Sequence, residues 1–72
     1  MRMKQYRLDV FEPRVGQPEA VLRHRRHVYA SDEQTAIERA MQMYRKFAAS
    51  AQLERFVLYE DHRVVYEYRG PP

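Results

Sequence analysis

Between residues 3 and 11 apolar and polar positions alternate, with Tyr6, Leu8 and Val10 on one side and Gln5, Arg7 and Asp9 on the other. Successive strand residues point to opposite faces, so this is the pattern of a half-buried strand. In the stretch Glu12-Pro13-Arg14-Val15-Gly16-Gln17-Pro18-Glu19, two prolines flank a glycine, which removes backbone donors and supplies a turning point. It predicts a hairpin loop. Residues 20 to 30 predict the returning strand, in which Leu22, His24, Arg26, Val28 and Ala30 share one parity and Val21, Arg23, Arg25, His27 and Tyr29 the other. The middle of that strand is polar on both sides, which an edge position or a parity-shifting bulge accounts for.

Ser31 then stands where a helix should start, and Gln34 completes the Ser-x-x-Gln form of a capping box. Ala36, Ile37, Ala40, Met41, Tyr44, Phe47, Ala48 and Ala51 recur at three and four, whereas Glu38, Arg39, Gln42, Arg45 and Lys46 lie outside that stripe. The spacing predicts a helix from Ser31 to about Ser50, with Ile37, Met41, Tyr44 and Phe47 facing a sheet. Asp32 and Glu33 in the first turn and Arg45 and Lys46 near the end agree with the helix dipole.

Residues 54 to 60 and 63 to 69 are rich in β-branched and aromatic types and flank Asp61-His62, predicting a second hairpin. Gly70-Pro71-Pro72 cannot continue a ladder and is expected to form a tail beyond a single domain of residues 1 to 69. The element order is ββαββ, an α+β fold whose simplest form is a four-stranded antiparallel sheet with one helix packed on one face. A right-handed crossover over the first strand gives the spatial order 2-1-3-4.

At the strand-to-helix junction stand Val28-Tyr29-Ala30-Ser31-Asp32, followed by Ala36 and Ala40. This arrangement resembles small bacterial and phage ββαββ domains of unknown function, in which a strand ending in an aromatic-Ala pair enters a helix of the form Ser-Asp-x-x-x-Ala-x-x-x-Ala. The resemblance implies the same fold and, those domains having no assigned activity, implies no mechanism.

Composition narrows the function classes. At 72 residues the chain can build one small core, and with no cysteine it has no disulfide or zinc-thiolate site, as suits the reducing cytoplasm. An unstapled domain of this size gains from burying further surface in an oligomer. No apolar run approaches the roughly 18 residues of a membrane span, and the start carries no hydrophobic signal core. Neither insertion nor classical secretion is expected.

Residues that could carry chemistry have plainer explanations. His24 and His27 are three apart, so a strand points them to opposite faces, and Arg23, Arg25 and Arg26 would repel a cation; no metal is expected. Ser31, Thr35 and Ser50 are accounted for by helix position. Asp32-Glu33 and Glu60-Asp61 lie at a helix start and a turn, where solvated acids belong. The two glycines, Gly16 and Gly70, are too far apart for a phosphate loop. No catalytic residue, cofactor or small-molecule substrate is expected.

Two surfaces remain. The last hairpin is apolar on both faces whichever turn joins it. A two-residue turn sets Phe56, Leu58 and Val65 against Val57, Tyr59, Val64, Tyr66 and Tyr68, and a three-residue turn sets Phe56, Leu58, Val64, Tyr66 and Tyr68 against Val57, Tyr59 and Val65. One helix cannot cover both, so an interface is expected at Val57, Tyr59, Val65 and Tyr29. The chain thus reads as a small non-enzymatic interaction module, homodimeric or bound to another protein, using the uncovered sheet face or an edge strand. Charge supplies the alternative: residues 1 to 30 hold seven Arg or Lys against three acids, whereas residues 31 to 72 hold six against seven. Arg7, Arg23, Arg25, His27 and Arg55, expected on the uncovered face beside Tyr29 and Tyr59, would suit phosphates and stacked bases of a nucleic acid.

Overall fold

A computed structural model describes residues 2–70; Pro71 and Pro72 of the expected tail lie outside the described residues. Four strands, β1 (Lys4–Glu12), β2 (Val21–Ala30), β3 (Arg55–Glu60) and β4 (Arg63–Arg69), and one helix, α1 (Glu33–Ala48), follow in the order β1, β2, α1, β3, β4. All neighbouring strands are antiparallel, in the spatial order β2-β1-β3-β4, so the crossover through α1 passes over β1. No helix among the described residues is long and apolar enough to cross a membrane.

The alternation in β1 does what its period requires. Tyr6, Leu8 and Val10 are buried against α1, and across the ladder stand Val28, Arg26 and His24 of β2 and, opposite Leu8 and Val10, Leu58 and Phe56 of β3. The polar middle of β2 has both of the causes its sequence suggests. β2 is an edge strand, and the register shifts between Val10 and Phe11, leaving Arg23 as the extra residue of a bulge. On its helix side, His24 stacks on Phe47 with ring centres 4.0 Å apart, and the Arg26 guanidinium lies 5.5 Å from the same ring. One phenylalanine therefore accommodates two polar side chains on a face that must still meet the helix.

The helix starts one residue later than the capping box predicts. Asp32 is the N-cap, with extended backbone, and its carboxylate accepts from the Thr35 amide at 2.8 Å. A carboxylate makes the stronger bond to a free amide and also meets the positive end of the helix, which is why it displaces the Ser31 hydroxyl. The same bond holds the Asp32 carboxyl below its ordinary value.

The seat of the helix also differs from the expected stripe. Ala36, Ala40 and Tyr44 are buried, while Ile37, Met41, Met43 and Phe47 are half-buried against the core. Small residues line the closest approach, where Ala36 and Ala40 join the fully buried Ala30, so the larger side chains are displaced to the two flanks of α1. Tyr44 reaches furthest in: its ring lies 5.1 Å from Phe56 and 5.8 Å from Tyr68, and its hydroxyl donates to the Gly70 carbonyl at 3.0 Å. Gly70, at φ +102°, also donates its amide to the Glu54 carbonyl, so it is held to the sheet rather than trailing from it.

The second hairpin takes a two-residue turn, with Asp61 at φ +55° and Glu60 opposite Arg63, but neither expected set of faces results. The register shifts again between Leu58 and Tyr59, so Val65 is an extra residue. Beyond it Tyr66 and Tyr68 return to the helix side opposite Leu58 and Phe56, while Val57, Tyr59 and Val64 stay on the open side.

This packing makes two quantities measurable by urea unfolding. Leu8→Ala should cost about 2–5 kcal/mol, and Ala40→Leu about 1–3 kcal/mol by overpacking the seat, whereas Ile37→Ala should cost less than Leu8→Ala. Asp32→Ala should cost about 0.5–2 kcal/mol and exceed Ser31→Ala; the reverse order would return the cap to Ser31.

Candidate interaction surfaces

The face of the sheet away from α1 is built in rows by the register. Arg25, Asp9, Val57 and Glu67 lie side by side across the four strands, and His27, Arg7, Tyr59 and Val64 form the next row. Leu22, Phe11, Arg55 and Arg69 form a third.

Charge in these rows is organised into two groups in which two arginines share a carboxylate, and in the second Arg55 also lies 3.6 Å from Glu54. Arg25 donates to Asp9 through Nε at 2.9 Å and Nη2 at 3.2 Å, and the Arg7 Nε lies 3.4 Å from the same carboxylate. Asp9 is only 3% exposed despite lying on the open face. Its hydrogen bonds, and secondarily its charge, raise the affinity of Arg25 for its proton. In the second group Arg55 reaches Glu67 at 3.3 Å and Arg69 reaches it at 3.2 Å. Each group also uses a ring: Arg7 lies 4.4 Å from the centre of Tyr59 and Arg55 lies 4.1 Å from the centre of Phe11. Guanidinium planes stack on aromatic faces while their edges bond carboxylates, and their stems cover apolar surface.

Several expected site residues are therefore occupied by one another. Val57, expected at an interface, is 4% exposed in the isolated chain, flanked in the ladder by Asp9 and Glu67. Val65 is half-buried and packs against the core, and Tyr59 lies under Arg7; only Tyr29 of the four is well exposed. Of the expected nucleic-acid contacts, Arg7, Arg25, His27 and Arg55 share the open face. Arg23, in the bulge, pairs with Glu12 at 3.6 Å. Among the described residues no group of three or more His, Asp or Glu side chains is placed to hold a metal ion.

The two sheet edges differ. Hydrogen-bonded pairs alternate along an antiparallel ladder, so alternate residues of an edge strand turn their backbone groups outward. On β2 the outward carbonyls of Arg25 and Tyr29 each accept from a guanidinium, Arg26 for the first and Arg39 of α1 for the second. That edge is stoppered at these two carbonyls, on either side of His27. On β4, pairing of Gly70 with Glu54 continues through Tyr68 with Phe56 and Tyr66 with Leu58, so Glu67 and Arg69 turn their backbone groups outward. No side chain of the described residues bonds to those outward groups.

The β4 edge adjoins an apolar shelf. Phe47 and Met43 occupy the β2 flank of the helix, as the His24 stack shows, which places Ile37 and Met41 on the opposite flank, above the β3–β4 side. Arg63, at the start of β4, bonds Glu33 of α1 at 2.5 Å, and Gly70, at its end, bonds Tyr44, so helix and strand run side by side. Ile37, Met41, Tyr66 and Tyr68 are all half-buried along this margin. The sequence contains these residues but not their proximity, and nothing local marks Arg39 as a stopper for a carbonyl ten residues earlier.

Comparison with protein-family models, with curated proteins and with solved structures finds no match for the chain.

The His24 environment makes stability depend on pH in a defined sense. Burial, then the charges of Arg26 and Arg23, lower its affinity for a proton, with Glu12 opposing them. Above the ordinary histidine value of about 6.5 the ring is neutral folded or unfolded. As pH falls below it the unfolded chain protonates first, so stability is lost until the folded ring protonates too. The urea midpoint should therefore fall between about pH 7 and pH 5, and His24→Phe, which keeps the stack but cannot titrate, should reduce that fall. An unchanged fall would assign it to other groups.

Proposed function

We propose that the chain is a small non-enzymatic interaction module that pairs with a second copy of itself through the β4 edge. The observation that carries this reading is the difference between the two edges: on β2 the outward carbonyls of Arg25 and Tyr29, on either side of His27, are covered by Arg26 and Arg39, while on β4 no side chain of the described residues covers those of Glu67 and Arg69. Unpaired edge groups are a template for another strand, and proteins usually block them where pairing is unwanted.

Charge favours an identical partner. A two-fold axis through Tyr68 sets Glu67 opposite the second copy's Arg69 and Arg69 opposite its Glu67, two cross-strand pairs of opposite sign. An axis through Glu67 would instead set like charges opposite each other. Antiparallel pairing centred on Tyr68 continues the sheet to eight strands, with both helices on one side and the Ile37, Met41, Tyr66 and Tyr68 margins of the two copies facing each other. That margin supplies apolar burial that seven edge residues alone would lack, and the gain suits a short chain without a staple. We assign the module to the cytoplasm, where a cysteine-free chain needs no oxidising folding step.

Light scattering with size exclusion at micromolar concentration should give twice the 8.8 kDa chain mass. Glu67→Pro removes an outward amide while sparing the bonds to β3, so it should yield a folded monomer by circular dichroism. A wild-type monomer at high micromolar concentration would exclude the homodimer, and a dimeric Glu67→Pro variant would move the interface elsewhere.

A further inference from the structure

One corner of the open face is chemically unlike the rest of it. There Arg7 stands opposite His27 and Gln5 opposite Tyr29 across the β1–β2 ladder. With Asp61 and part of Tyr6, the first three line a depression of about 260 Å³. Tyr29 is 52% exposed, and its ring meets His27 edge to face at 6.4 Å. Arg7 is placed from two sides, its guanidinium over Tyr59 and its buried Nε, which makes no hydrogen bond, 3.4 Å from Asp9. Its two terminal nitrogens have no acceptor among the described residues. The corner thus joins a pre-positioned, unused guanidinium edge to an exposed aromatic ring.

We infer that this corner binds single-stranded nucleic acid, with a base stacked on Tyr29 and an adjoining phosphate on the free edge of Arg7 beside His27. A guanidinium held planar and short of acceptors matches two phosphate oxygens at once. A ring open to solvent gives an unpaired base a stacking platform, which bases stacked within a duplex cannot use. The Arg7, Arg25 and Asp9 group carries two guanidinium ions for one carboxylate, whereas Arg55 and Arg69 are matched by Glu67 and Glu54, so the positive field that favours a polyanion lies at the Arg7 end of the face. Asp61 also lines the depression and repels a phosphate, so the phosphate is expected on the Arg7 and His27 side. The expected contact is therefore centred on Arg7, and Arg25 and Arg55, which Asp9 and Glu67 occupy, become supporting charges. The surface is distinct from the β4 edge, so the inference stands whether or not the chain pairs with itself.

The test is fluorescence anisotropy with labelled deoxythymidine and uridine oligomers of about a dozen nucleotides, titrated from about 50 mM salt upward. Binding should saturate and weaken steeply with salt. Tyr29→Ala should weaken it about tenfold or more, and Arg7→Ala should also lower the salt slope by about 0.7, the share of one single-strand phosphate. Arg14→Ala, the same charge loss in the exposed loop at the opposite end of the β1–β2 ladder, should change little, and duplex of equal length should bind more weakly. Absence of binding at low salt, equal losses for Arg7→Ala and Arg14→Ala, or no loss for Tyr29→Ala would each overturn the inference. Circular dichroism of every variant separates lost contact from lost fold, and Tyr29→Ala, at an exposed position, keeps the test valid if Arg7→Ala unfolds.

Discussion

A single sixteen-residue helix has to cover a four-stranded sheet, and the rest of the structure follows from how closely it can sit. Ala30, Ala36 and Ala40 have no detectable exposure and bring the backbone of α1 down onto the sheet. Burial of apolar area drives that approach, and interior packing leaves little room for larger groups along the contact line. The bulkier residues therefore divide, with Met43 and Phe47 toward β2 and Ile37 and Met41 toward β4. Tyr44 penetrates because its hydroxyl finds the Gly70 carbonyl at the far end of the last strand.

The face that the helix leaves uncovered is closed by its own side chains. Arginine suits this task because its stem covers apolar area, its plane stacks on a ring and its edge bonds a carboxylate. Arg55 lies over Phe11 and bonds Glu67, Arg7 lies over Tyr59 with its Nε 3.4 Å from Asp9, and Asp9 is buried on the nominally open side between Arg7 and Arg25. Taking a carboxylate out of water is costly unless it is paired and hydrogen-bonded, and the bidentate contact from Arg25 meets that condition. The face is consequently drier and less available than a count of its arginines suggests, except at the Arg7, His27 and Tyr29 corner.

The two bulges decide which residues reach which side. Arg23 in β2 lets Leu22 face the open side while His24 turns to the helix, and Val65 in β4 returns Tyr66 and Tyr68 to the helix side. Without the second, a two-residue turn would place both tyrosines with Val57 and Tyr59. The aromatic cluster of Tyr44, Phe56, Tyr66 and Tyr68 would then be divided between two faces.

Much of this architecture is legible along the chain. The two-residue period of β1, the three-and-four spacing of α1 and the proline-glycine loop between β1 and β2 act over a few residues, so the ββαββ order and the sheet order follow from local pattern and general topology. The parity problem in β2 is also visible, because five polar residues in succession cannot all avoid a buried face. What the sequence does not contain is the outcome of competition between distant groups. Asp32 outranks Ser31 as the cap by the strength of its bond to the Thr35 amide, a bulge two residues past a turn reassigns an entire strand face, and Arg39 finds a carbonyl that only the helix-sheet angle brings within reach. Periodicity records which residues prefer burial. Which arginines are spent on carboxylates, which edge stays open and which guanidinium keeps a free side are set by contacts across the sheet, where each partner is chosen by proximity that exists only once the chain has folded.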